Sequence, residues 1–274
     1  GEIVRGFSHH IGSVFTLPAY RKQGLASFFL NEIAKAMAQL PDAVASVLYS
    51  DIGPTFYDRL GWRLYPSTIA ELDVAAPLNA ASIADNDADL TGTKLFLDQD
   101  LNAFLAQDNR RIEADMRDPK YAGQEVFATL ATRDSVEWQF CIGAYYASLR
   151  DFAELPAQCG LKIDADAFVV WCHNIKESTL YVVRARLPES GARPEVTQRL
   201  LRAALKEAHR FKLQHVAIWD PVPALFAAEI SAALDISKSD RPDSLSSARV
   251  FAQHRDGGGA SLPVWVANEK FAWV

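Results

Sequence analysis

Cysteine is scarce in this 274-residue chain. The three present, Cys141, Cys159 and Cys172, are odd in number and lack the spacing of a metal site. They read as core or surface thiols in a reducing compartment, which points to the cytoplasm, and no metal is expected. Long apolar runs are missing too. None approaches the ~18 residues of a membrane helix, so no membrane span is expected. Positive charge is in deficit, with 28 Lys+Arg against 34 Asp+Glu and a net charge of -6. That balance weighs against a nucleic-acid binder, although a local basic pocket for a phosphate ligand remains compatible with it. The first residues, Gly1-Glu2-Ile3-Val4-Arg5, show no signal-peptide pattern.

What is present is core-forming. Hydrophobic residues make up 49% and charged residues 23%, a globular balance at a length that suits one large domain or two ordinary ones. Along the first quarter, His10 to Leu17 reads as a buried strand ended by Pro18. Gly24 to Leu40 has helical spacing, with Leu25, Phe28, Phe29, Ile33, Ala36, Met37 and Leu40 on one side. Ala45 to Tyr49 reads as a second strand, Gly53 to Leu60 as a short helix ended by Gly61, and Trp62 to Val74 as strand broken near Pro66.

Ala75 to Thr91 loses periodicity and reads as a linker. The organisation expected is therefore a unit over 1–74, a linker over 75–92 and a second α/β unit over 93–274. In that second unit, Leu101–Met116 (with Asp100 as cap), Ser135–Leu149 and Val196–Phe211 read as helices. Phe168–Trp171 and Thr179–Leu187 read as strands paired around Lys176-Glu177-Ser178, and His215–Trp219 as another, before a helix opened by Pro221-Val222-Pro223. Gly257-Gly258-Gly259 marks a turn before strand-like Leu262–Val266. Both halves share the order strand, helix, strand, Pro-opened helix, which suggests a duplication. The second half has only Gly191 where the first has its glycine loop.

The stretch that carries chemistry runs from Val14 to Ser27: strand, Pro18, then Arg21-Lys22-Gln23-Gly24-Leu25-Ala26-Ser27 opening a helix. Amides at a helix start lack internal partners and point outward. The helix dipole adds about half a positive charge there. Gly24 and Ala26 leave room for an anion to reach the backbone, and Arg21 and Lys22 add mobile positive charge.

This segment resembles the pyrophosphate-binding motif of the GNAT acyl-CoA N-acyltransferases, Arg/Gln-x-x-Gly-x-Gly/Ala. A second segment, Ser50-Asp51-Ile52-Gly53-Pro54-Thr55-Phe56-Tyr57-Asp58-Arg59-Leu60-Gly61-Trp62, resembles the superfamily's Phe-Tyr-x-x-Leu-Gly-Phe. Residues 8–16, the Ser50–Trp62 segment and the ending Asn268-Glu269-Lys270-Phe271-Ala272-Trp273-Val274 are similar to fungal lysine N6-acetyltransferase-like proteins. The resemblance implies a GNAT α/β fold, a mixed sheet flanked by helices, followed by a second GNAT-like unit. It also implies that the family's N-terminal strand and two helices are missing here. The chain is then expected to be a fragment, a processed product or a shortened sequence, open to pairing with that N-terminal segment.

By that resemblance acetyl-CoA is the donor and a small amine, possibly free L-lysine, the acceptor. Arg21, Lys22, Gln23, Gly24, Leu25, Ala26 and Ser27 would hold the pyrophosphate. Phe15, Thr16 and Leu17 would align the pantetheine arm, and Tyr57 would protonate the leaving thiolate. A tyrosine near pKa ~10 is protonated at neutral pH and able to donate. His9 or His10 is the candidate base for the amine, with Glu2 a weaker one. Asp51 either attracts a cationic substrate or caps a helix at Gly53. Ser50 stands where the superfamily often has Asn, so that contact is not carried over. Trp138, Trp171, Trp219, Asp220, His173 and Glu269 are candidates to wall the acceptor pocket, the tryptophans being equally suited to a core. The alternative functions are an acetyltransferase for a different amine and a non-catalytic acyl-CoA- or partner-binding module.

Overall fold

The computed structural model describes residues 3–85, 90–150, 152–189, 192–251 and 262–273. Gly1, Glu2, Gly191, the Gly257–Gly259 turn and Val274 lie outside them. The chain opens with β1 (Phe7–Ile11), α1 (Leu25–Met37), β2 (Ala43–Ser50), β3 (Arg63–Leu64), β4 (Thr68–Asp73), α2 (Pro77–Ala84) and β5 (Thr93–Phe96). It continues with α3 (Gln99–Asp115), β6 (Val126–Phe127), α4 (Arg133–Ser148), β7 (Gln158–Asp164), β8 (Ala167–Asn174) and β9 (Thr179–Arg186). The last part holds α5 (Pro194–Arg210), β10 (His215–Trp219), α6 (Ala228–Ser231), β11 (Ser237–Asp240), β12 (Leu245–Val250) and β13 (Val264–Trp265).

Two main sheets result. The smaller has the order β1-β2-β12-β3 and the larger β11-β4-β10-β9-β8-β7-β5. Both are mixed: β1 runs parallel to β2 and β10 parallel to β9, the other pairs within them being antiparallel. The sheets exchange strands across the expected linker. Pro66 breaks the strand region after β3, and β4 crosses to pair with β10 in the larger sheet. In return, β12 from the far end of the chain pairs with β2 and β3.

Alternation along β8 divides the core in two. Val169 and Trp171 pack with Leu200, Leu201, Ala204 and Leu205 of α5. Phe168, Val170 and Cys172 face Phe104 and Leu105 of α3 and Phe140 of α4. Residues Phe271 and Ala272 of the chain's end join that second core.

Several elements differ from the sequence reading. The first strand ends at Ile11 instead of Leu17, because Ser13 takes a φ of 55° that no strand continues through. Residues 12–17 therefore lie outside any strand. The helix over 53–60 shrinks to a single 3₁₀ turn, Asp58–Leu60, ended by Gly61 at φ 91°. Part of the expected linker forms α2, whose Asn79 Nδ2 donates to the carbonyls of Asp73 (2.8 Å) and Asp235 (2.9 Å). Asp98, not Asp100, caps α3, accepting from the Leu101 amide at 3.1 Å. Helix α1 is apolar around most of its circumference, and the sheet selects Leu30 and Ala34, packed with Leu48 and Trp62. Leu25, Phe28 and Phe29 face outward.

Candidate functional site

The segment expected to hold the pyrophosphate forms a loop that runs into α1. After a 3₁₀ turn at Pro18–Tyr20, Lys22 and Gly24 take left-handed conformations, φ 61° and 77°. Gly24 caps α1, and its carbonyl accepts from the Phe28 amide at 2.9 Å. Among the described residues, the amides of Lys22 to Ser27 have no acceptor. A Cβ built at Gly24 meets nothing within 4 Å, so the backbone is open to an approaching anion. The loop braces itself: Arg21 Nε donates to the Thr16 carbonyl at 2.9 Å, and Gln23 Nε2 to that of Ala19 at 3.2 Å. The Arg21 guanidinium also lies over the Phe15 ring, 5.3 Å from its centroid. Phe15 and Leu17 are exposed, and the Thr16 carbonyl is already engaged. These three residues therefore do not present a strand edge, which corrects the expectation for the pantetheine arm.

Tyr57 enters the 3₁₀ turn, 8% exposed, packed with Leu30, Ala34, Leu48 and Trp62 and edge-on to Phe56. Burial, and secondarily the charge of Asp51, raise its pKa. Its hydroxyl stays protonated at neutral pH and has no hydrogen-bond partner among the described residues. Asp51 caps no helix; its Oδ1 accepts from the Ser244 amide (3.0 Å) and hydroxyl (3.3 Å). The pairings His9↔Ser46 and His10↔Val47 put the two histidines on opposite faces of the small sheet. His9 shares the α1 face with Ser46, whose hydroxyl accepts from Trp62 Nε1 at 3.0 Å. His10 shares the other face with Val47 and Tyr49, toward the chain's end. The His10 residue as a whole is exposed; desolvation lowers its pKa, and a hydrogen bond to the backbone of Ala272 works against that shift.

The candidates from the second half separate. Trp171 is core, its Nε1 donating to the Gln158 carbonyl at 3.0 Å, and Trp138 is exposed on α4. His173 pairs with Glu207 at 2.9 Å within the core. Glu269 binds Arg184 and accepts from the Ala185 amide at 2.8 Å. Arg184 also grips Asp108 at 2.7 Å, so this buried guanidinium has two carboxylates.

Only Trp219 and Asp220 meet in a cluster beside the small sheet. They are joined there by Tyr49, Tyr181, Arg241, Lys270 and Trp273, which the sequence reading missed. The Arg241 guanidinium lies 3.8 Å over Trp219 and pairs with Asp220 at 3.2 Å. Lys270 Nζ lies 4.0, 4.3 and 4.4 Å from the ring centroids of Trp273, Trp219 and Tyr181. Burying an ammonium costs several kcal/mol. Cation–π contacts of ~0.5–2 kcal/mol each offset only part of that. Desolvation therefore prevails and lowers the Lys270 pKa to about 8. The one signal in the sequence is the aromatic ending around Lys270, Phe271-Ala272-Trp273.

A cavity of about 630 Å³ lies at the opposite end of β10 from Trp219, lined among others by Asp73, Ala80, His209 and His215. No residue of the anion loop reaches it. Burial pushes the thiols of Cys159 and Cys172 up to about 12, while Cys141 is exposed. Among the described residues no group of His, Cys, Asp or Glu is arranged to hold a metal ion, and no helix is long and apolar enough to cross a membrane.

The LYC1 GNAT-like C-terminal domain matches residues 77–274. No curated protein matches the chain. Among solved structures, GCN5-related N-acetyltransferases from Kribbella flavida and Anabaena variabilis each superpose over 90% of this chain at 14% identity and a TM-score of 0.51. The chain spans 53% and 55% of their lengths, about half of each. That likeness extends to the fold: mixed sheets flanked by helices, as in the GNAT acetyltransferases.

Proposed function

The chain belongs to the family of LYC1 GNAT-like C-terminal domains, and from this membership we propose that it is an acetyl-CoA-dependent N-acetyltransferase for a small amine. The observation that carries the reading is the row of amides from Lys22 to Ser27, free of protein acceptors behind an open Gly24. Such a row, at the positive end of a helix, fits a diphosphate. Lys22 adds mobile charge beside it, and Arg21 stiffens the loop.

In this reading the thioester lies near the ends of β1 and β2, which part after Ile11 and Leu48. A neutral amine nitrogen attacks the thioester carbonyl carbon and the C–S bond breaks. The Tyr57 hydroxyl gives its proton to the departing sulfur, and the amine's surplus proton leaves to a base or to water. The products are the N-acetyl amine and free CoA. Tyr57 serves from the α1 face. His10 is suited to the opposite face, since its lowered pKa leaves it neutral and able to accept a proton at pH 7. His9 lies on the Tyr57 side. The likeness of residues 8–16 and 50–62 and of the ending supports free L-lysine as the acceptor.

Calorimetry with CoA, together with isotope-labelled acetyl-CoA offered to a panel of amines, tests the reading. CoA binding with transfer to lysine is expected. Transfer to another amine alone would replace the acceptor. Binding without any transfer would make the chain an acyl-CoA-binding module, and absence of CoA binding would remove the whole reading.

A further inference from the structure

Lys270 is 6% exposed, and among the described residues no oxygen or sulfur accepts from its ammonium. Two further donors beside the same tryptophan are buried without a partner: Arg241 Nε and the Tyr49 hydroxyl. The neighbouring carboxylates are accounted for. Asp220 takes Arg241 and accepts from the Thr68 amide at 2.8 Å. Glu177 accepts from the Tyr181 hydroxyl at 2.9 Å. Asp243 is exposed and forms no ion pair with Lys270. One residue earlier, Glu269 belongs to a group in which a buried cation has two carboxylates. Around Trp219 the proportion is reversed: two cations, Arg241 and Lys270, stand beside one carboxylate in contact, Asp220, which pairs with Arg241.

From this geometry we infer that Lys270, Arg241 and Tyr49 form an anion subsite that takes the carboxylate of the acceptor amine. The inference rests on the acetyltransferase reading for the word acceptor, and on the structure for the site. Tyr49 follows Leu48 on β2 and faces the His10 side, where the amine is proposed to attack. An anion held there tethers the acceptor beside the thioester without occupying the anion loop. A carboxylate would give the Lys270 ammonium, Arg241 Nε and the Tyr49 hydroxyl an acceptor, and would return Lys270 toward the ordinary lysine pKa.

The test compares L-lysine with 1,5-diaminopentane, which differ by the carboxylate. Binding to the full chain is measured by calorimetry, with and without CoA. L-Lysine is expected to bind about tenfold or more tightly than the diamine. In Lys270→Met this preference collapses, and in Lys270→Arg it is retained, with CoA affinity unchanged in both. Equal binding of the two amines to the wild-type protein overturns the subsite, whatever the variants do. So does a preference that survives in a folded Lys270→Met protein. Acetate is expected to displace L-lysine better than inorganic phosphate; the reverse would assign the donors to phosphate and overturn the carboxylate. Loss of CoA binding would sink the acetyltransferase reading, while the comparison of the two amines without CoA still decides the subsite.

Discussion

Glu269 and Lys270 are neighbours in the chain, the first half-buried and the second buried, and their charges are met in opposite ways. Glu269 sits in a closed group: Arg184 lies between it and Asp108, and the Ala185 amide supplies another donor. Burial raises the Glu269 pKa, and the adjacent Arg184 charge works against that rise. Among the described residues the Lys270 ammonium touches three rings and no acceptor, and burial lowers its pKa to about 8. A paired buried charge fixes structure, and removing one partner is strongly destabilising. An unpaired one is a standing electrostatic cost that a bound anion would relieve. The contrast lies in the partners: Glu269 has a cation in contact, and the Lys270 ammonium has no acceptor among the described residues.

Arg184→Met should break the closed group most severely. It leaves half-buried Glu269 without its cation and buried Asp108 with Arg186 alone, at 3.1 Å, and a loss of about 3 kcal/mol in urea unfolding is expected. Unchanged stability would mean that the pairing carries little weight. Tyr57→Phe should lower kcat by about a hundredfold while the CoA dissociation constant stays put. An unchanged rate at saturating substrate removes Tyr57 as the acid. Gly24→Asp should weaken CoA binding by about tenfold or more, since it strains a left-handed position and sets a carboxylate against the diphosphate.

Acceptor affinity gives a smaller effect with a defined sign. Protonated Lys270 is the form that attracts a carboxylate, so affinity is full well below pH 8 and falls as pH rises through it. Between pH 7 and 8.5 a roughly fourfold loss of L-lysine affinity is expected, and none in Lys270→Met. The smallest effect is on folding. Lys270→Met should leave stability within about 1 kcal/mol or raise it, because no partner is orphaned. A large loss there would place Lys270 with Glu269 as a structural charge.

Much of the local structure was legible. The anion loop depends on Gly24, on the turn after Pro18 and on amides that lie beside each other in sequence, so one segment contains all its causes. The register of α5 and the strand at His215–Trp219 were likewise readable from periodicity. The buried side of α1 was not, because Phe28 and Phe29 are as apolar as Leu30 and only the sheet chooses between them. The end of β1 was misplaced because residues 12–17 look strand-like in composition while Ser13 turns the backbone away.

From sequence alone it could be read that a helix opens just after Gly24, with amides that have no partner in the helix itself. The meeting of Tyr49, Trp219, Arg241 and Lys270, the exchange of β4 and β12 between sheets, and the parting of His9 and His10 to opposite faces came from the pairing of distant strands. The physical reason is range. Helix starts and turns follow from interactions a few residues apart, whereas a cluster drawn from both ends of the chain depends on which strands pair, and no single segment encodes that choice.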